Sequence, residues 1–262
     1  MNFQTLFSGS RGNCALLRYG KSNILIDCGV NAATAENALK SVGVYAGDID
    51  AVFVTHEHTD HISGLGCFCV RHGADVFVHE DCAGEAEKHL PARHKINTFN
   101  GSSFEYGGLT VSTYDCEHDS AHCSGFKFTG GVSSVAVVTD LGRATDALFA
   151  FVQGCDLLLL ESNHDDVMLA GGSYPMSLKK RIAGAYGHLS NRQAGEILQR
   201  LPELNVRHVW LGHLSLNNNT PEIAFQSAVN ALKEKDMVEG RDIFVGVVGQ
   251  YRPSGIFNKG GK

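Results

Sequence analysis

The stretch Thr55-His56-Glu57-His58-Thr59-Asp60-His61 constrains this chain more than any other, because it sets four metal-competent side chains within six residues. His56, His58, Asp60 and His61 combine imidazole and carboxylate, the mix that suits zinc, manganese or iron. Residues 49–55 read as a short buried strand, and 64–72 as a helix. A loop leaving a strand's carboxyl end is where open α/β sheets place their sites. The plainer reading is a polar turn whose histidines cap or fill, and four potential ligands at this spacing weigh against it.

The pattern H-x-H-x-D-H resembles the signature of the metallo-β-lactamase superfamily. That resemblance implies two metals held by seven side chains, so three more ligands belong downstream, each just after a strand. His118 follows the alternating stretch 109–114, Asp140 follows 134–139, and His213 follows 207–212. Thr139-Asp140-Leu141-Gly142 resembles the family's bridging-aspartate turn. His122 lies close enough to compete with His118, which is preferred as nearer the strand and followed by an acid. The resemblance then implies one site of His56, His58 and His118 and a second of Asp60, His61 and His213, with Asp140 serving both. Two such cations, about 3.5–4 Å apart, hold a bridging hydroxide and clamp a reacting group. An open position at each marks a catalytic site rather than a closed structural one. Asp27 ends a strand over 23–26 and matches the family's first motif, a carboxylate that orients ligating imidazoles without touching metal.

Composition agrees. A chain of 262 residues with 43% apolar content is long enough for one α/β domain with a sizeable core. No apolar run approaches the ~18 residues of a membrane span. The first eight residues lack a basic segment leading into an apolar one, so no signal peptide is expected. Eight cysteines without a C-x-x-C pair read as reduced thiols, which places the protein in the cytoplasm. Helices are expected over 34–42, over 80–90, from the Ser190/Gln193 capping box to 201, and from Thr220-Pro221 to about 235. No linker or repeat divides the chain, so 1–262 is read as a single domain. The family resemblance implies its architecture, a four-layer αβ/βα sandwich of two facing mixed β-sheets flanked by helices.

Three further motifs narrow the resemblance: residues 6–14, Gly187-His188-Leu189-Ser190-Asn191, and 211–219. Together they look like the WalJ/YycJ-type subfamily, bacterial proteins linked to nuclease activity that includes 5′-to-3′ exonuclease action on double-stranded DNA. The expectation is a phosphodiesterase using two divalent ions per chain, zinc or manganese with iron as a third option, on DNA ends. Breaking a P–O bond needs a hydroxide, charge on the phosphoryl oxygens, and a proton for the leaving alcohol. Asp60 counts as catalytic besides being a ligand. His188 is the candidate proton donor, since nuclease members of the superfamily use a non-ligand histidine there. Glu161, ending the strand 156–160, is the candidate partner of its imidazole; the bland alternative makes His188 a helix cap.

Ser10, Arg11 and Asn13, in a glycine-rich loop, are candidate phosphate contacts, or simply a turn. Lys179 opens a short basic run that suits a nucleic-acid backbone or a solvated helix face. Asn217, with Asn218 and Asn219, either lines the cleft or forms a turn. His164 is a candidate ligand or substrate contact, or a solvated loop histidine, and His72, His79, His89, His94 and His208 lack ligand-like company. A formal charge of −6 argues against a broad electrostatic grip on DNA. Two bound dications would offset about four of those charges where substrate enters. The rival reading is a small-molecule hydrolase of thioesters, lactones, lactams or small phosphodiesters, which would share every ligand but not need His188 and Glu161 as a pair. Glutamate is usual at the second ligand position of flavodiiron-like oxidoreductases, and His58 stands there instead.

Overall fold

A computed structural model describes residues 1–259. The strands are β1 (Asn2–Phe7), β2 (Cys14–Tyr19), β3 (Ser22–Ile26), β4 (Ala51–Phe53), β5 (Asp75–His79), β6 (Ile96–Phe99), β7 (Ser103–Tyr106), β8 (Leu109–Cys116), β9 (Cys123–Gly130), β10 (Ser133–Val138), β11 (Leu157–Glu161), β12 (His208–Gly212), β13 (Phe244–Val247) and β14 (Phe257–Asn258). They form two seven-stranded sheets, in the orders β14-β1-β2-β3-β4-β5-β6 and β13-β12-β11-β10-β9-β8-β7. Both are mixed. β1 to β3 pair antiparallel and β3 to β6 parallel, while β9 and β10 pair antiparallel and β10 to β13 parallel.

The chain divides into two compact units, one of residues 1–113, 120–124 and the segment from 249, the other of 114–119 and 125–248. In the first unit, α1 (Ala32–Ser41), α2 (Thr59–Ile62), α3 (Leu65–His72) and α4 (Ala83–Glu87) accompany the sheet. Strand alternation sends Val52 to one face, into a core with Leu16, Leu39, Phe68 and Val76, and Phe53 to the other. There Phe53 stacks on Phe77 with centroids 4.7 Å apart and on Phe104 at 5.9 Å.

The second unit carries α5 (Asp146–Val152), α6 (Asp166–Gly171), α7 (Met176–Ile182), α8 (Asn191–Leu198) and α9 (Pro221–Lys233). β11 is buried at every position, as a central parallel strand covered on both faces must be. Ser190 and Gln193 form the expected reciprocal cap at the start of α8.

Three elements differ from the sequence expectation. β4 spans only 51–53, because Thr55 N–H donates to the Asp27 carboxylate at 2.8 Å instead of extending a ladder. The helix expected over 80–90 is a 3-10 turn, Glu80–Cys82, running into the short α4; Gly84 weakens it, and Pro91 bars the residue before it from helical geometry. α8 stops at Leu198, and Leu201–Leu204 turns as a separate 3-10 segment around Pro202.

Candidate metal centre and catalytic groups

In the first unit, the end of β3 supports the loop that leaves β4. Asp27 adopts a left-handed backbone, φ 61°. Its carboxylate accepts from the Thr55 main chain, from the Thr55 hydroxyl, and from His61 Nδ1 at 2.7 Å. A carboxylate only accepts, so the ring proton sits on Nδ1 and the Nε2 lone pair is the one a cation would take, in competition with the Asn13 amide 3.1 Å away. Thr55 Oγ1 also contacts His56 Nδ1 at 3.1 Å. The three rings converge, His56 lying 4.1 Å from His61 and 4.6 Å from His58 between centroids. Asp60 Oδ2 lies 3.6 Å from His61 Nε2.

Gly29 allows this approach. A Cβ there would lie 1.7 Å from the Asp60 carbonyl oxygen. Glu57 faces away from the donors, accepting from Ala121 N–H at 2.7 Å and from the Cys82 thiol. Asp27→Asn is expected to weaken metal retention about 10–100-fold, read by titration with a competing chelator. Retention equal to wild type would show that His61 needs no carboxylate behind it.

In the second unit, four strand ends contribute. His118 follows β8 and donates from Nδ1 to the Gly187 carbonyl at 3.1 Å, leaving Nε2 3.8 Å from Asp140 Oδ1. Burial pushes this imidazole's pKa below its ordinary value, favouring the neutral form that a ligand needs. Asp140 follows β10 and His213 follows β12, both left-handed, at φ 57° and 53°. At the end of β11, Glu161 is fully buried and takes four hydrogen bonds. Its Oε1 accepts from His188 Nδ1 at 2.8 Å and His213 Nδ1 at 2.7 Å; its Oε2 accepts from Leu141 and Leu189 N–H, each at 3.0 Å.

Burial alone would raise the Glu161 pKa, but the two imidazoles outweigh it and hold the value at about 2. Burial also depresses His188, yet Glu161 and Asp140 prevail and its pKa is raised. The His188 side chain remains 21% exposed, with its Nδ1 3.5 Å from Asp140.

Other expected residues fall in varied places. Ser10 and Arg11 are exposed. Asn13 is buried, its side chain accepting from Gly9 N–H and meeting His61 Nε2 at 3.1 Å; it therefore positions that ring and presents nothing to solvent. Lys179 donates to the Ala170 carbonyl at 2.7 Å, and Arg181 pairs with Asp119. Asn217 is exposed and bonded to the Tyr174 hydroxyl, whereas Asn218 and Asn219 are buried, Asn219 tying Ser162 and Asn163 to Asn191. His164, for which the sequence left a ligand, a substrate contact or a solvated loop residue open, is 1% exposed, its carbonyl accepting from Asn191 N–H in a bridge beside Ser190. His79, read as lacking company, stacks on His122 at 3.5 Å with Asp81 in reach, which also accounts for His122.

The donor set fits divalent cations. His56, His118 and His213 each have one ring nitrogen engaged by a hydroxyl, carboxylate or carbonyl, the arrangement that fixes a ligating imidazole, while His61 has Nδ1 on Asp27 and Nε2 beside the Asn13 amide, which a cation would displace.

A model of the β-lactamase superfamily domain matches residues 22–214. The chain belongs to the β-lactamase superfamily. Its similarity extends to exodeoxyribonuclease WalJ of Streptococcus pneumoniae serotype 2 (strain D39 / NCTC 7466), 32% identical over 93% of this chain and 92% of that protein. Exodeoxyribonuclease YycJ of Bacillus anthracis is 31% identical over 90% of each. This is therefore a superfamily member of the WalJ/YycJ type. Among solved structures, the metallo-β-lactamase fold protein YhfI from Bacillus subtilis superposes with a TM-score of 0.73 over 98% of both chains at 19% identity. The fold is thus that of the metallo-β-lactamases, the αβ/βα sandwich expected from the sequence. No helix among the described residues is long and apolar enough to cross a membrane.

Proposed function

We propose that this chain is a divalent-metal-dependent phosphodiesterase that degrades DNA as a 5′-to-3′ exonuclease. The observation that carries the reading is the Glu161–His188 pair. It holds an imidazole whose Nδ1 is occupied and whose other nitrogen is available, beside the buried Asp140. The similarity to two proteins named as exodeoxyribonucleases supports the substrate class. The seven ligand candidates serve two divalent ions per chain, zinc or manganese with iron as the third option, as the family resemblance implies. Bound divalent ions would supply the hydroxide nucleophile at neutral pH and offset charge on the phosphoryl oxygens.

The remaining chemistry belongs to this chain's own side chains. His188 gives a proton from Nε2 to the departing alcohol oxygen and takes it back from water. Glu161 keeps that imidazole in one tautomer and favours its charged form. Asp60, besides being a ligand, orients the attacking water by accepting its hydrogen bond.

We read residues 1–262 as one functional domain, since the family match from 22 to 214 runs through both units. Eight free thiols suit a reducing cytoplasm, where we place it. The test sets the protein, loaded with manganese or zinc, on end-labelled duplex DNA and on a thioester in parallel. Progressive loss of labelled DNA supports the proposal. Turnover of the thioester alone would move the chain to the small-molecule hydrolases.

A further inference from the structure

A second feature of the first unit adjoins the donor loop. A cavity of about 380 Å³ opens between the loop after β1 and the start of α1, closed on one side by Gln250 and Tyr251. Its floor includes Gly12 and Gly29. A Cβ at Gly12 would come within 2.5 Å of Val30 Cγ1, and φ there is 155°, so the floor stays open only with glycine. The wall is shared with the metal ligands. Asn13 N–H donates to the Asp60 carbonyl at 2.8 Å, and the Ser63 hydroxyl donates to the Gly29 carbonyl at 2.7 Å.

The lining has a distinct chemistry. In a chain with 28 acidic and 22 basic residues, this cavity contains no carboxylate and one cation, Arg11. Arg11 is exposed and has no carboxylate partner among the described residues. By contrast Arg71, Arg143, Arg181, Arg192 and Arg241 are all paired with acids. Around Arg11 stand the neutral polar groups of Asn31, Thr34 and Ser63. Asn31 caps α1, a ten-residue helix with no acid in its first turn, so its partial positive end adds to the field. Two aromatic rings complete the lining, Phe7 and Tyr251, the latter 55% exposed.

An arginine with planar donors recognises phosphate, an exposed tyrosine offers a stacking face, and the volume suits a small ligand. We infer that this cavity seats a phosphorylated nucleotide, with Arg11 on the phosphate and Tyr251 against the base. The occupant is the 5′-terminal nucleotide of the strand being degraded, and to that extent the inference rests on the exonuclease reading. Arg11, exposed in the sequence motif's turn, thereby gains a defined target; Asn13 serves the wall.

The experiment measures initial rates on two duplexes identical except for a 5′-phosphate or a 5′-hydroxyl, using wild type, Arg11→Ala and Tyr251→Ala. A calorimetric titration with 2′-deoxyadenosine 5′-monophosphate accompanies each, and Tyr251→Phe serves as the ring-preserving control. Wild type is expected to prefer the phosphorylated end about tenfold, and Arg11→Ala to bring that ratio to about one. Tyr251→Ala is expected to weaken mononucleotide binding about tenfold, and Tyr251→Phe to restore it. A wild-type ratio of one, or a ratio and an affinity both indifferent to Arg11, would overturn the inference. If neither duplex is cut, the exonuclease reading falls, and the titration alone decides. Arg11-dependent mononucleotide binding would then keep the site with a free nucleotide as its occupant, and its absence would remove it.

Discussion

Glu161→Gln is expected to reduce DNA hydrolysis by about 10³-fold or more, because a carboxylate that fixes a catalytic imidazole's tautomer is worth up to ~10⁴ in rate. Four N–H donors converge on Glu161, two from rings and two from the main chain. A carboxylate has two acceptor oxygens and satisfies all of them. A glutamine has one, and its amide NH₂ would face donors it cannot accept from. Either His188 and His213 lose their hold or Leu141 and Leu189 N–H do, at about 1–3 kcal/mol of folding stability for the buried donors left unsatisfied. His213 is also a candidate ligand, so metal retention should weaken about 10–100-fold. Steady-state rates at saturating metal, with metal analysis of the dialysed protein, separate the two losses. Near-normal rates in Glu161→Gln would show that the carboxylate does no more than fill its place.

His188→Ala is the complementary experiment, with an expected rate loss of about 10²–10⁴ for a proton donor and no loss of bound metal. The pH profile gives the sharper reading. A group that donates its proton must be protonated, so activity falls as pH rises through its pKa. Burial lowers the His188 pKa, and Glu161 with Asp140 raises it further than burial lowers it. Removing the Glu161 charge should therefore shift the alkaline limb to lower pH, and His188→Ala should abolish that limb. A drop below about tenfold in His188→Ala, with metals in place, would take this residue out of proton transfer.

The candidate donor residues are legible in the sequence because their signal is local. Four ligand candidates within six residues follow one strand, and Asp27 ends another, so each is visible without knowing which strands are neighbours. The capping box at Ser190 is local for the same reason. What was hidden depends on strand pairing. Glu161 was expected beside His188, but its contact with His213 comes from the parallel register of β11 and β12, which sets Glu161 opposite Gly212 and so next to the residue that follows. The pairing of Val138 with Leu160 likewise brings Asp140 to the same end. No property of a run of four leucines announces those partners. Asn13 misled for a related reason. A glycine-rich loop predicts exposed amides, while the fold turns this one inward onto His61. The burial of His164, which excludes only the solvated reading, was hidden because it depends on a bridge to Ser190, 26 positions away.

Of the five non-glycine residues with left-handed backbones among the described residues, three are Asp27, Asp140 and His213. An L-residue in that region costs about 1–2 kcal/mol, and glycine costs almost nothing there. For Asp27 the hydrogen bonds to Thr55 and His61 offset the penalty. Asp140, buried near Glu161, has ring nitrogens of His118, His188 and His213 at 3.8, 3.5 and 3.5 Å from its carboxylate. An aspartate codon is a single base change from glycine. In a lineage that had lost those imidazoles along with the chemistry, Asp140 would keep only the backbone cost, and a glycine there would be a mark of disuse.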